Sequence, residues 1–434
     1  MRLRTLFGLW LPLAVSFELM MLEGPAIQAA IGYLPHPPLN LAAWGLTMSL
    51  SLIIESPIIM LLATAIALVK DGDSYHALRR FMLTLLVGCT VIAGAISFTP
   101  LLDVIAGKLM GQPDAIVQAA RPAMQIMLFW TAAIAWRRFY QGVLVRHGHT
   151  RKVTQGTFVR LSSAVLTAYL LAHYGSLTGV QTGAVIVMVA VVTEALVTTL
   201  FALPIIHRQV IPIHSTEVPL TQRAIFRFHT PLAATTLLTL LALPVTSAAL
   251  ARLDMATISL AAWPVASMVL LVMRGWGFAM QEITVALASE EEAKPTLQRF
   301  TWIVGLTTSG ITALLVVTPL LELYFRHVLH LPNNLYASAR LGVSTSCLLP
   351  LLTSLGSWVR GLLVVQGQTK VVYRGMGLNL ACHSGLLAIG VVSHLPGMWV
   401  AGGAYTLASL GEYFYLTHQA HRHVSVLVAE SHLQ

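Results

Sequence analysis

Leu41-Ala42-Ala43-Trp44 returns as Leu260-Ala261-Ala262-Trp263, 219 positions later. The same shift lays Pro12-Leu13-Ala14 on Pro231-Leu232-Ala233, and Pro25 on Pro244. Arg80-Phe81 meets Arg299-Phe300, and Thr99-Pro100-Leu101-Leu102 meets Thr318-Pro319-Leu320-Leu321. Pro113, Arg121, Gly142, Gly148 and Thr150 meet Pro332, Arg340, Gly361, Gly367 and Thr369. One ungapped register over residues 12–153 holds 33 identities. Chance alone would give roughly a dozen in so apolar a chain. A repeat of this length marks a duplicated structural unit.

Composition says what is duplicated. Of 434 residues, 56% are hydrophobic and 10% charged, with a mean hydropathy of +0.76. Ordinary soluble domains carry about 25% charged residues, so a water-soluble enzyme is excluded. The net charge of +9 comes from basic residues scattered singly between apolar runs. That pattern is not the clustered stripe of a nucleic-acid binder. Cys89, Cys347 and Cys382 lie far apart, which suggests neither a disulfide framework nor a zinc site.

A spanning helix needs about 20 mostly apolar residues. Twelve such stretches are read at 7–32, 40–69, 81–105, 117–143, 153–175, 179–206, 224–251, 256–287, 300–325, 337–365, 371–393 and 396–417. The expectation is an all-α polytopic membrane protein. It has a six-helix lobe over 1–206, a cytoplasmic linker over 207–223, a second six-helix lobe over 224–425 and a short tail over 426–434. Six is even, so the lobes run parallel, related by a pseudo-two-fold axis along the membrane normal. Nineteen of the 26 Lys and Arg then fall on the side of the termini and five on the other. By the positive-inside rule both termini are cytoplasmic, in a cell-membrane protein. In this count Arg137 and Arg138 sit at the cytoplasmic end of the fourth helix, anchored to headgroups.

Two parallel six-helix halves resemble the multidrug and toxin extrusion / polysaccharide-flippase superfamily. Each half opens with a proline-containing helix and has Leu-Ala-Ala-Trp entering its second. Within that superfamily the likeness is greatest to the progressive ankylosis family. It is carried by Leu41 to Leu50, by the helix Pro231 to Arg252, and by Gly275-Trp276-Gly277 followed by Glu282. The resemblance implies export by rocking of two lobes and, for the ankylosis branch, anionic cargo such as pyrophosphate, nucleotides or citrate-like acids. Drug-extruding members carry an ion-binding acid in the first helix. Here the equivalent place reads Ala29-Ala30, with Glu23 about a turn earlier.

Ionisable residues inside spans are costly and mark functional sites by default. Glu55 and Arg274 are repeat mates of opposite charge. They read either as a pair across a central cavity or as two residues satisfied each in its own lobe. Arg274, Gln281 and Glu282 share a helical face, read as cavity lining or as packing through Gly275 and Gly277. An arginine fork suits carboxylate or phosphate. Arg160 is a second mid-span base. Glu18 and Glu23 flank the carbonyl that Pro25 frees near Met21 and are candidates for proton or sodium coupling. Glu194 and Glu412, 218 apart, read as structural acids paired within a lobe to Arg160 or Arg374. Glu290-Glu291-Glu292 reads as a solvated loop. No Gly-x-x-x-x-Gly-Lys-Ser/Thr occurs, so no ATP motor is present in this chain. No catalytic residue, metal or cofactor is expected.

The leading expectation is a secondary active exporter, working by alternating access as a monomer. It would carry small organic or phosphate-type anions, with H+ or Na+ as coupling ion and the bilayer as its surroundings. A lipid-linked oligosaccharide flippase is the alternative. A membrane-embedded transferase comes third, since the outer loops are short and lack His/Asp clusters.

Overall fold

The computed structural model describes residues 3–213, 220–287 and 293–431. Glu290-Glu291-Glu292 and the middle of the linker lie outside the described residues. Twelve helical rods follow one another. They are α1 (Leu3–Tyr33), α2 (Pro37–Leu68), α3 (Gly72–Phe98), α4 (114–146), α5 (Thr150–Tyr174) and α6 (Gly179–Val210). After the linker come α7 (Gln222–Leu250), α8 (Ala256–Leu287), α9 (Lys294–Val317), α10 (Asn333–Val365), α11 (Thr369–Val392) and α12 (Gly397–Ser431). The protein is all-α and polytopic.

Nine of these rods are long and apolar enough to cross a bilayer by length and composition, among the described residues. The other three are α4, α5 and α12. They carry Arg137, Arg138, Arg160 and Glu412, which lower their hydropathy and lie in the clusters described below.

Local chemistry sets the ends. Asp71 caps α3: its Oδ1 accepts from the Ser74 N–H at 2.8 Å, and the Ser74 hydroxyl accepts from the Asp71 N–H at 3.0 Å. Within the rods, threonine hydroxyls donate to carbonyls four residues back, as Thr47 does to Ala43 at 2.8 Å. That keeps them satisfied where no water is at hand.

The first rod of each half is broken in the same place. α1 consists of Leu3–Met21 and Glu23–Tyr33; α7 consists of Gln222–Leu240 and Ala242–Leu250. Pro25 and Pro244 follow the breaks. A proline removes an N–H and clashes with the carbonyl four residues back, and those carbonyls belong to Met21 and Leu240, where each first piece ends.

The chain forms two compact units, residues 1–25 with 249–434 (the C-terminal unit) and residues 26–248 (the N-terminal unit). They differ from the sequence halves in one respect: the first half lends α1 as far as Pro25 to the C-terminal unit, and the second lends α7 as far as Ala248 to the N-terminal unit. Leu3–Met21 packs on α8, and Gln222–Leu240 packs on α2. Leu6, Trp10 and Ala14 form one apolar cluster with Ala279, Met280, Ile283 and Phe300.

The repeat extends to side chains. Arg121 donates to the Ser97 carbonyl at 3.4 Å, and its mate Arg340 donates to the Val316 carbonyl, the mate of Ser97, at 3.1 Å. A Cβ at Gly142 would come 2.9 Å from the Leu62 carbonyl; one at Gly361 would come 3.0 Å from the carbonyl of Gln281, the mate of Leu62. α11 is one residue shorter than α5, 24 against 25, and beyond it the register falls from 219 to 218.

Candidate functional site

Each unit holds a buried carboxylate at an equivalent place, on the last rod of the corresponding sequence half. In the N-terminal unit it is Glu194 on α6, 0% exposed. Arg137 of α4 donates to it at 2.7 Å, Gln141 at 3.0 Å, Thr157 of α5 at 3.3 Å and Arg160 at 3.4 Å. In the C-terminal unit it is Glu412 on α12. Asn379 of α11 donates to it at 2.9 Å, and Arg360 of α10 lies at ion-pair distance, 3.2 Å, without hydrogen-bond alignment. Gly156 and Gly375, also repeat mates, let the neighbouring rod close on each acid. A Cβ there would lie 3.8 Å from Glu194 Cγ and 3.6 Å from Glu412 Cγ.

The bases are permuted between the copies. Gln141 stands where the other half has Arg360, and Arg160 where it has Asn379. Each acid keeps one amide and at least one guanidinium, but from opposite neighbours. Coulomb energy depends on distance rather than on which backbone carries the charge, so either arrangement holds the acid.

The expected pairing of Glu194 with Arg160 is present; Glu412 pairs with Arg360 instead of Arg374. The headgroup reading of Arg137 is corrected. Its side chain is buried in the Glu194 cluster, nine residues, or about 13 Å, before the last residue of α4. Burying a guanidinium beside an acid costs less than leaving that acid alone in a dry core.

Glu55 on α2 is 4% exposed, and its Oε2 has no hydrogen-bond partner. The charges that act on it are Arg138, then Arg137 and Arg160. Arg138 itself makes no hydrogen bond or ion pair among the described residues, and its Nε is buried. Five buried or half-buried charges therefore share this part of the N-terminal unit, three positive and two negative.

Arg274 lies on α8 in the C-terminal unit. Its Nε donates to the Thr353 hydroxyl of α10 at 2.7 Å; that hydroxyl donates onward to the Leu349 carbonyl at 2.8 Å. The guanidinium lies over the rings of Phe278 and Tyr405, at 5.4 and 5.7 Å. No carboxylate pairs with it among the described residues. Aromatic faces stabilise a cation, and Tyr405, Arg360 and Glu412 of the same unit also act on its charge.

The other expected site residues scatter. Gln281 is half-buried, its backbone carbonyl facing Gly361, and Glu282 is exposed. Neither joins Arg274. Glu18 is buried against Gly275, where a Cβ would strike its Oε1, and that oxygen has no hydrogen-bond partner. Glu23 is buried in the first turn of the second piece of α1, where an acid suits the helix dipole.

Comparison with solved structures places the fold. An inward-facing multidrug resistance MATE family transporter of the MOP superfamily superposes with a TM-score of 0.75 at 13% identity, over 95% of this chain and 96% of that one. The chain has a MATE-type fold. A MOP superfamily transporter from Pyrococcus furiosus, described as having a binding pocket of reverse polarity, matches with a TM-score of 0.64 at 13% identity, over 95% of each chain. The lipid II flippase MurJ in an inward closed conformation matches at 0.65 and 14%, over 96% of this chain and 87% of that one. No family model and no curated protein matches the sequence.

Within that fold, sequence reading missed His229 on α7. Its Nε2 lies 2.6 Å from the Pro57 carbonyl and its Nδ1 2.8 Å from the Thr64 hydroxyl. The signal was available: at a shift of 219, His229 is the mate of Trp10.

Proposed function

We propose that the chain is a secondary active transporter that moves a small organic or phosphate-type anion by alternating access, with Arg274 as its anion-binding base. The supporting observation is the guanidinium of Arg274, half-buried between a hydroxyl and two aromatic rings, with no acid at ion-pair distance among the described residues and Glu412 acting on it only from farther off. A buried cation without a partner acid is costly, and a bound carboxylate or phosphate relieves that cost bidentately. The Arg138 and Glu55 region is a second basic patch in the other unit, where three guanidiniums face two acids. Glu18 and Glu23, buried in the first rod, are the candidates for coupling to H+ or Na+. The working unit is a monomer in the cell membrane, with both termini cytoplasmic.

The test is uptake of a panel of labelled organic and phosphate anions into proteoliposomes. Arg274→Gln weakens anion binding about 10- to 100-fold, the worth of one charge-assisted pair, while the melting profile in detergent keeps a single transition. Unaltered anion uptake in this variant overturns the assignment. The MurJ likeness makes flippase activity the second reading. Movement of a lipid-linked oligosaccharide across the same vesicles, with no anion uptake, favours it.

A further inference from the structure

Two ring N–H groups hold the exchanged first helices in place. In the C-terminal unit, Trp10 donates its Nε1–H to the Trp276 carbonyl at 3.2 Å, and its ring stands edge-on to Phe300 with centroids 5.4 Å apart. In the N-terminal unit, His229 meets the Pro57 carbonyl at 2.6 Å and stands edge-on to Phe81 at 5.2 Å. Every partner is a repeat mate: Trp10 with His229, Trp276 with Pro57, Phe300 with Phe81. The two seats are one seat built twice.

They differ at two positions that change together. Where the indole packs with Ile283, the imidazole meets Thr64, the mate of Ile283. An indole has one nitrogen, always a donor; an imidazole has two, and the second binds or loses a proton. The carbonyl of Pro57 accepts only, which fixes the hydrogen on Nε2. Nδ1 then carries a lone pair, and Thr64 supplies its hydrogen to it. The hydroxyl has an alternative acceptor in the Met60 carbonyl at 3.0 Å. An apolar side chain at 64 would leave Nδ1 unsatisfied.

We propose that His229 is a proton-binding site, and that the proton it takes governs the docking of Gln222–Leu240 on α2. The ring is 3% exposed when docked. The groups that meet it are the Pro57 carbonyl and Thr64 of α2 and Phe81 of α3, none of them charged. Glu55 on α2, Asp73, His76, Arg79 and Arg80 on α3, and Arg223 and Arg227 on α7 itself make no hydrogen bond or ion pair with it. The docked seat thus holds the neutral ring fully hydrogen-bonded and offers an imidazolium no counter-charge. The undocked ring, exposed to water, takes up a proton in the ordinary histidine range. Falling pH therefore releases this helix, while the tryptophan seat of the other unit has nothing to titrate. The proposal concerns docking within one unit and does not depend on what is carried.

The experiment places nitroxide labels at Arg227 of α7 and Asp73 of α3, both exposed, in a cysteine-free background in nanodiscs. Their separation is measured between about pH 8 and pH 5, a window centred on histidine. One proton bound only by the undocked form shifts the docked-to-undocked ratio by up to tenfold per pH unit. The native chain is expected to show one distance at high pH and a second, longer population at low pH, the ratio changing by about thirtyfold across the window. His229→Trp with Thr64→Ile copies the other unit's seat and keeps one population throughout. His229→Gln, which donates and accepts without titrating, does the same should the double variant not fold. A native profile flat with pH, or the same response in His229→Gln, overturns the proposal.

Discussion

Glu194 and Glu412 sit at equivalent positions but are not equally committed. Glu194 accepts from four side chains on two rods; Glu412 has two partners, one of them out of hydrogen-bond alignment. Removing one partner of a buried pair costs about 3–5 kcal/mol, because the charge left behind is uncompensated. Glu194→Gln takes the acid from Arg137, whose side chain is 4% exposed, whereas Glu412→Gln takes it from Arg360, which is 21% exposed. The detergent melting temperature is expected to fall further for Glu194→Gln than for Glu412→Gln. Equal falls would show that the extra donors add nothing. Both acids were legible in the sequence as structural residues, since they are near repeat mates inside apolar rods. Their partners were legible only in part. Arg160 and Glu194 are 34 residues apart and Arg137 and Glu194 are 57 apart, so nothing along the chain ranks one base above another. Arg137 looked like a headgroup anchor because a base near the end of an apolar run reads that way unless its partner on another rod is known.

Rods were the most legible level. Long apolar runs bounded by Pro, Gly and charge fix a spanning helix almost by length alone, and twelve expected runs correspond to twelve rods. Breaks inside them were less visible. Pro25 and Pro244 announced theirs, but the interruption of α2 at Met60 has no such marker four residues on. How closely two rods approach was visible only as a repeated glycine. Gly361 has the Gln281 carbonyl and Thr284 where a Cβ would go, the nearest atom at 2.6 Å, whereas Gly377 on α11 has nothing within 4 Å. The same substitution should therefore have opposite signs at the two sites. Gly361→Ala pushes α8 from α10 and costs about 1–3 kcal/mol, as overpacking does. Gly377→Ala improves helix propensity by about 1 kcal/mol. Thermal unfolding of the two variants in one detergent checks both, and a destabilised Gly377→Ala would mean that face is packed.

At the scale of the whole chain, duplication explains why function is hard to read. A repeat makes every residue comparable with its mate, and a change of charge or of ring chemistry between mates stands out. Three such changes carry the chemistry: Glu55 against Arg274, Arg160 against Asn379, His229 against Trp10. The first two stood out as charges in apolar rods. The third did not, because a lone histidine in a helix has no signature until the indole opposite it is seen to make the same bond. The shared breaks carry a prediction of their own. The chain passes from one compact unit to the other between Pro25 and Ala26 and between Ala248 and Ala249, each within about two turns of the place where a first rod has lost helical hydrogen bonds. A transporter working by alternating access needs these crossings to bend, and an unbroken helix bends only gently. Pro25→Ala with Pro244→Ala restores the missing N–H groups and straightens both rods. The double variant is expected to bind anion as the native chain does, yet to exchange it across proteoliposomes at least about tenfold more slowly, a barrier increase of roughly 1.4 kcal/mol. Each single variant should fall between the two. Native exchange rates in the double variant would mean that the breaks are fixed features of the packing rather than places where the rods flex.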